Sequence, residues 1–156
     1  MNGPYTFNVR AGWGDMDFNA HMANTAYLDY AADVRLMYFA SQGFSAADFA
    51  RERLGPVVMK DEIVYRAEIR LQEEVRVSLE LAGLSDDGSR FRLRNTFCRD
   101  DGRIAAVVTT DAGWLDLDLR RLAAPPPVLL EGLRHLVRTE NFEELPSSLK
   151  DGKGRQ

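Results

Sequence analysis

Between Trp13 and Tyr27 the chain gathers Asp15, Asp17, Asn19, His21 and Asn24 into one short polar stretch. A run with apolar residues at helical spacing follows at once: Tyr27, Tyr30, Ala31, Val34, Met37 and Tyr38 fall on one face. The end of such a helix offers unpaired N–H groups and a partial positive charge, which polarise a carbonyl or hold an anion. A carboxylate placed just ahead of it can act beside that carbonyl as a nucleophile or as a general base. The same residue types also serve quieter purposes. Asp15 and Asp17 can order a turn by accepting backbone N–H groups, Asn24 can cap the helix, and Tyr27 and Tyr30 can pack a core. If the segment between them is extended, Asp15 and Asp17 point the same way, and one carboxylate then raises the pKa of the other.

Elements that would position this stretch are readable on either side of it. Tyr5 to Gly12 alternates as a strand. The helix is expected from Asn24 or Thr25 to Gln42, with Gly43 as its stop. Its other face carries Leu28, Ala32, Leu36 and Phe39, so the helix is expected to be buried on most sides. Ser45 caps a short helix that ends before Gly55-Pro56. Strands are expected over Val57–Arg70, Glu74–Leu84, around Phe91–Phe97, and from Ile104 to about Leu119, with turns at Asp86-Asp87-Gly88-Ser89 and Asp100-Asp101-Gly102. After Pro125-Pro126-Pro127, leucines suggest an appended helix at about 128–138, and the polar tail 146–156 reads as disordered. Residues 1–145 then form one domain. One helix among runs of strands argues for an α+β class, and the open edges of its sheet invite a second copy.

Composition narrows the possible functions. The chain has 156 residues, of which 45% are apolar and 28% charged, with a net charge of −4. No dense Lys/Arg block is present, so nucleic-acid or anionic-membrane binding is not expected. A single cysteine, Cys98, leaves no internal disulfide framework. No His/Glu zinc motif, Gly-rich phosphate loop or serine elbow is present, and neither a metal nor a cofactor is expected. The N-terminus lacks a charged region followed by an apolar run, and no apolar stretch is long enough to span a bilayer, so the expected location is cytoplasmic.

The stretch resembles the signature of hotdog-fold acyl-CoA thioesterases of the 4-hydroxybenzoyl-CoA type, roughly Asp-x-Asp-x-x-Gly-His-x-x-Asn-x-x-Tyr-Leu with an arginine further on. It matches at Asp15, Asp17, His21, Asn24, Tyr27, Leu28 and Arg35, and it departs at Ala20, where the family usually has glycine. The order of elements resembles the family over about residues 5–122. The resemblance implies a hotdog fold, in which a curved antiparallel sheet wraps around one long central helix. It implies hydrolysis of an acyl-CoA thioester to the free acid and CoA. Asp17 would be the nucleophile or general base, and the backbone N–H at Asn24 would polarise the carbonyl. His21, Asn19 and Tyr27 would contact the substrate. The partner is a small acyl-CoA, and the assembly is a homodimer or homotetramer with its site at the subunit interface. CoA phosphates call for a cation, and Lys60, Arg66, Arg90, Arg92 and Arg94 are the candidates.

Two other classes share this reading. The (R)-specific enoyl-CoA hydratases, also hotdog proteins, carry Asp-x-Asn-x-x-His; here Asp17-Phe18-Asn19-Ala20-His21 brings the histidine one residue early. A non-catalytic acyl-CoA-binding hotdog protein would bind the same ligand without turnover.

Overall fold

Alternation of side chains builds the sheet. The structure, a computed structural model, describes residues 3–149. Its strands are β1 (Tyr5–Arg10), β2 (Leu54–Tyr65), β3 (Glu74–Leu84), β4 (Arg90–Cys98), β5 (Ile104–Asp116), β6 (Arg121–Ala123) and β7 (Arg138–Glu144). Its helices are α1 (Ala26–Ser41), α2 (Ala46–Glu52) and α3 (Pro127–His135), with a short 3-10 turn at Trp13–Asp15. In β4 every second residue is buried, namely Phe91, Leu93, Asn95 and Phe97, and in β3 Val75, Val77, Leu79 and Leu81 are. The sheet runs β1-β3-β4-β5-β2 with antiparallel neighbours; β6 pairs with β5, and β7 lies parallel to β3. The α+β class expected from the sequence is observed.

Helix α1 lies on the buried face of this sheet through Ala26, Tyr27, Ala31, Val34, Tyr38 and Phe39. The aromatic core continues beyond it. Phe39 packs edge-on against Trp114 with centroids 5.6 Å apart, and Phe49 and Phe91 flank the same indole. The indole N–H donates to Gly88 O at 3.0 Å, which satisfies the one polar atom this burial would otherwise strand. Each such ring removed from water stabilises the fold by about 2–3 kcal/mol.

Three expectations are corrected. Helix α1, the longest of the three helices among the described residues, buries one face rather than most of its circumference. Asp29, Ala32, Asp33 and Leu36 remain exposed, because two carboxylates on that side keep it in water. The appended helix ends at His135, and Arg138–Glu144 forms an unanticipated strand instead. The expected disorder from residue 146 does not hold for 146–149. Leu145 N–H donates to Leu84 O at 3.1 Å, Ser148 N–H to Ser89 Oγ at 2.9 Å, and Ser147 Oγ to Asp87 at 2.6 Å. Residues 150–156 lie outside the described residues. Gly83 makes this docking possible, since a Cβ there would come within 3.0 Å of Leu145 and 3.2 Å of Glu143 O.

Asp87 is the hub that holds the tail to the β3–β4 hairpin. Partial burial pushes its pKa up, but hydrogen bonds from Ser147, the Ser89 N–H and hydroxyl, and Ser85 outweigh that and hold it at about 2. Its folded pKa thus lies below the ordinary 3.8, so the carboxylate stabilises the fold above that pH, and the contribution fades as pH falls toward about 2. Asp87→Asn should cost about 2 kcal/mol in denaturant unfolding at neutral pH, and its stability should depend less on pH than the wild type's across that acid window.

Candidate functional site

The polar stretch folds into a tight turn. Asp17 N–H donates to His21 O at 3.0 Å, Ala20 N–H to Asp17 O at 3.1 Å, and Met16 and Met22 form an isolated antiparallel bridge. The turn is tied to the sheet where Met22 N–H donates to Ile69 O at 2.7 Å. Asp15 orders its base by accepting from Gly12 N–H at 2.9 Å and from the Tyr30 hydroxyl at 2.5 Å. Burial, then Asp15 itself, pushes the Tyr30 phenol up to about 12, so this hydroxyl stays protonated and stays a donor. Asp15 is therefore structural, and Tyr30 is part of its support.

Ala20 takes φ = +65°, the left-handed conformation that a glycine adopts without penalty. The loop thus keeps a glycine-like shape although the residue is alanine.

A depression of about 400 Å³ is lined by Asp17, His21, Met22, Asn24, Tyr27, Tyr65, Arg66, Ala67 and Glu68. Four of the five site residues expected from the sequence, Asp17, His21, Asn24 and Tyr27, come together here. Asn19 does not line the depression; its N–H donates to Asp17 Oδ1 at 2.8 Å. That contact is an Asx turn, and it leaves Asp17 Oδ2 without a hydrogen-bond partner among the described residues. His21 Nδ1 stands 3.8 Å from the same Oδ1 and 3.3 Å from Met22 O. A carbonyl only accepts, so Nδ1 makes this contact as a hydrogen bond when it carries the proton.

Helix α1 begins at Ala26, after a turn at Asn24-Thr25, and its N-cap makes no side-chain bond. The Asn24 side chain is therefore not the cap, and its N–H has no partner among the described residues. Its carbonyl accepts from the Tyr65 hydroxyl at 3.2 Å. Tyr27, 3% exposed, forms the floor; its ring meets Tyr65 at 5.4 Å and Phe97 at 5.1 Å edge-on. Burial, then Tyr65, Asp17 and Glu73, push its phenol up to about 12, so it can donate but not act as a base.

Tyr65 and Glu68 are lining residues that the strand pattern could not reveal, because the chain leaves β2 at Tyr65 and wraps back under the turn. Arg35 meets neither Asp29 nor Asp33. Its Nε donates to Asn95 at 3.2 Å and its Nη2 to Thr110 at 2.6 Å, and Thr110 passes its own proton to Asp61 at 2.5 Å. Among the described residues no group of three or more His, Cys, Asp or Glu could hold a metal ion, and no helix is long and apolar enough to cross a membrane.

The family model of the thioesterase-like superfamily matches residues 11–133, which hold the turn, α1, α2, strands β2 to β6 and most of α3. The chain belongs to this superfamily. A curated relative, the L-carnitine dehydrogenase/betainyl-CoA thioesterase of Agrobacterium fabrum, is 27% identical over 133 residues. The match takes in 85% of this chain and 26% of the relative, so the chain spans about a quarter of that protein's length. Among solved structures, a Staphylococcus aureus protein in complex with CoA superposes with a TM-score of 0.79 at 19% identity, covering 100% of this chain and 96% of the other. A 1,4-dihydroxy-2-naphthoyl-CoA thioesterase from Synechocystis gives 0.75 at 14% identity, covering 85% and 96%. The shared fold is the hotdog thioesterase fold.

Ala20→Gly removes the left-handed alanine from this loop. It should raise stability by about 1 kcal/mol in chemical denaturation.

Proposed function

We propose that this thioesterase-like protein hydrolyses an acyl-CoA thioester, with Asp17 as nucleophile or general base and the Asn24 N–H as donor to the thioester carbonyl. The observation that carries this reading is one juxtaposition. Asp17 and Asn24 both line a depression at the start of a helix, and among the described residues Asp17 Oδ2 and the Asn24 N–H have no hydrogen-bond partner. A thiolate is a good leaving group, so a single carboxylate suffices. It can attack the acyl carbon to give a mixed anhydride that water then opens, or it can take a proton from an attacking water. One oriented donor at the developing oxyanion contributes about 3–4 kcal/mol to the barrier reduction. The narrower likeness to 4-hydroxybenzoyl-CoA thioesterases rests on Asp15, Asp17, His21, Asn24, Tyr27, Leu28 and Arg35. The hydratase reading is less well supported, because Asn19 spends its N–H on Asp17 and stays out of the depression.

Free-thiol release should be measured on aromatic and aliphatic acyl-CoAs, with betainyl-CoA included because the Agrobacterium relative is named for it. Asp17→Asn should lower kcat at least about a hundredfold with the fold intact. Asn24→Ala should change kcat by less than about threefold, because the donor belongs to the backbone. Equal turnover by Asp17→Asn and the wild type would remove Asp17 from the chemistry.

The assembly we propose is a homodimer formed along β2. Among the described residues this strand is an open edge paired only with β5, and Val58, Met59, Val64 and Tyr65 on it are 42–50% exposed. Phe18, on the catalytic turn, is fully exposed as well. Sedimentation should give a dimer for the wild type and a monomer for the Val58→Lys/Val64→Lys double variant, with thiol release lost in the monomer.

A further inference from the structure

Among the described residues Arg66 is the only lysine or arginine in the lining of the depression, which also includes Asp17 and Glu68. Its backbone is fixed, since the N–H groups of Arg66 and Ala67 both donate to Ala105 O, at 2.8 and 3.1 Å. Its guanidinium, by contrast, has no hydrogen bond or ion pair among the described residues. The neighbouring arginines are committed elsewhere: Arg70 to Glu68 at 3.3 Å, Arg99 to Glu73 at 3.1 Å, Arg94 to Glu140 at 3.1 Å, and Arg92 to Asp111 and Glu143. Arg90 has its Nε buried, and Lys60 lies with Arg92 around a different depression. Of the five cations that the sequence offered for CoA phosphates, one is thus exposed, uncommitted and at the site.

We propose that Arg66 is a substrate-binding residue that holds a phosphate ester at the far end of the pantetheine arm. The inference rests on the acyl-CoA reading of the same site. A polyanionic ligand approaching Asp17 and Glu68 meets like charge, and a guanidinium at the rim offsets that repulsion while offering paired N–H donors to phosphate oxygens. Its contribution is to binding, not to the chemical step.

The test is a ligand-observed NMR titration of the wild type, Arg66→Gln and Arg66→Lys with CoA, 4′-phosphopantetheine and uncharged pantetheine, which needs no turnover. Arg66→Gln should weaken CoA about tenfold and leave pantetheine unchanged, and Arg66→Lys should fall between. The Tm should not move, because no side-chain contact is lost. An equal loss for 4′-phosphopantetheine assigns the contact to the phosphate beside the pantetheine, which CoA shares with acyl carriers. Loss for CoA alone assigns it to the nucleotide phosphates. The proposal is overturned if the wild type does not bind CoA, if Arg66→Gln binds CoA within twofold of the wild type, or if CoA and pantetheine weaken together. Absence of thiol release from every acyl-CoA, with the CoA difference intact, would instead sink the hydrolase reading and leave Arg66 as a phosphate contact.

Discussion

One aromatic ring holds the site together. Tyr27 stands in the first turn of α1, and its ring is wedged between Phe97 on β4 and Tyr65 at the end of β2. Those two edge-on contacts contribute about 1 kcal/mol each beyond the burial of the ring itself. Through them the start of the helix cannot shift without disturbing both the centre of the sheet and its open edge. The hydrogen bonds from Tyr65 to Asn24 O and from Met22 N–H to Ile69 O tie the polar turn to the end of β2 and to the segment that follows it. The turn at Asn24 is held by these contacts rather than by a side-chain helix cap, which this helix lacks. A reactive arrangement of short range therefore depends on packing contributed by residues far apart in the chain.

Arg35 sets where along the sheet that packing occurs. Apolar contacts between a helix and a sheet tolerate small slides, because the hydrophobic effect is not directional. A buried guanidinium does not tolerate them, since it must meet its acceptors or remain as an uncompensated charge. Burial pulls the Arg35 pKa down and Asp61 opposes this, with Thr110 standing between the two as donor to one and acceptor from the other. The chain of bonds runs from α1 through β5 to β2. It couples the helix to the edge strand that carries Tyr65, so the register of α1 and the wall of the depression are set together.

How much of this was legible in the sequence follows from where each signal resides. Strands β3, β4 and β5 announce themselves because one face is buried along nearly their full length, and period-two alternation is the direct imprint of that burial. Strand β7 left no such imprint. Arg138-Thr-Glu-Asn-Phe-Glu-Glu buries only Thr139 well, and the strand joins β3 through its backbone, which no side-chain pattern reports. Helix α1 was legible as a helix, but its exposed face was misread, because Leu36 and Ala32 count as apolar while Asp29 and Asp33 decide which side meets water. At the site, Asp17, His21, Asn24 and Tyr27 were legible because they share one turn and one helix start. Glu68 was not, and Arg66 could not be told from four other cations, because their place beside Asp17 is made by a non-repetitive segment crossing beneath the turn.

On the hydrolase reading proposed above, the two oxygens of Asp17 would divide the work. Oδ1 accepts from the Asn19 N–H, which orients the carboxylate and leaves Oδ2 without a hydrogen-bond partner among the described residues. An amide or ester of poor leaving ability would need an acid placed to protonate the departing atom, and so a second titrating group at a defined distance from the first. Burial, more than the nearby carboxylates, keeps the Tyr27 phenol protonated up to about 12, so it can donate a hydrogen bond at the site but cannot act there as a base. A thiolate leaves without such help. On that reading one carboxylate and one backbone donor beside the Tyr27 and Tyr65 rings would suffice, and packing and turn hydrogen bonds already hold Asp17, Asn24 and Tyr27 in place.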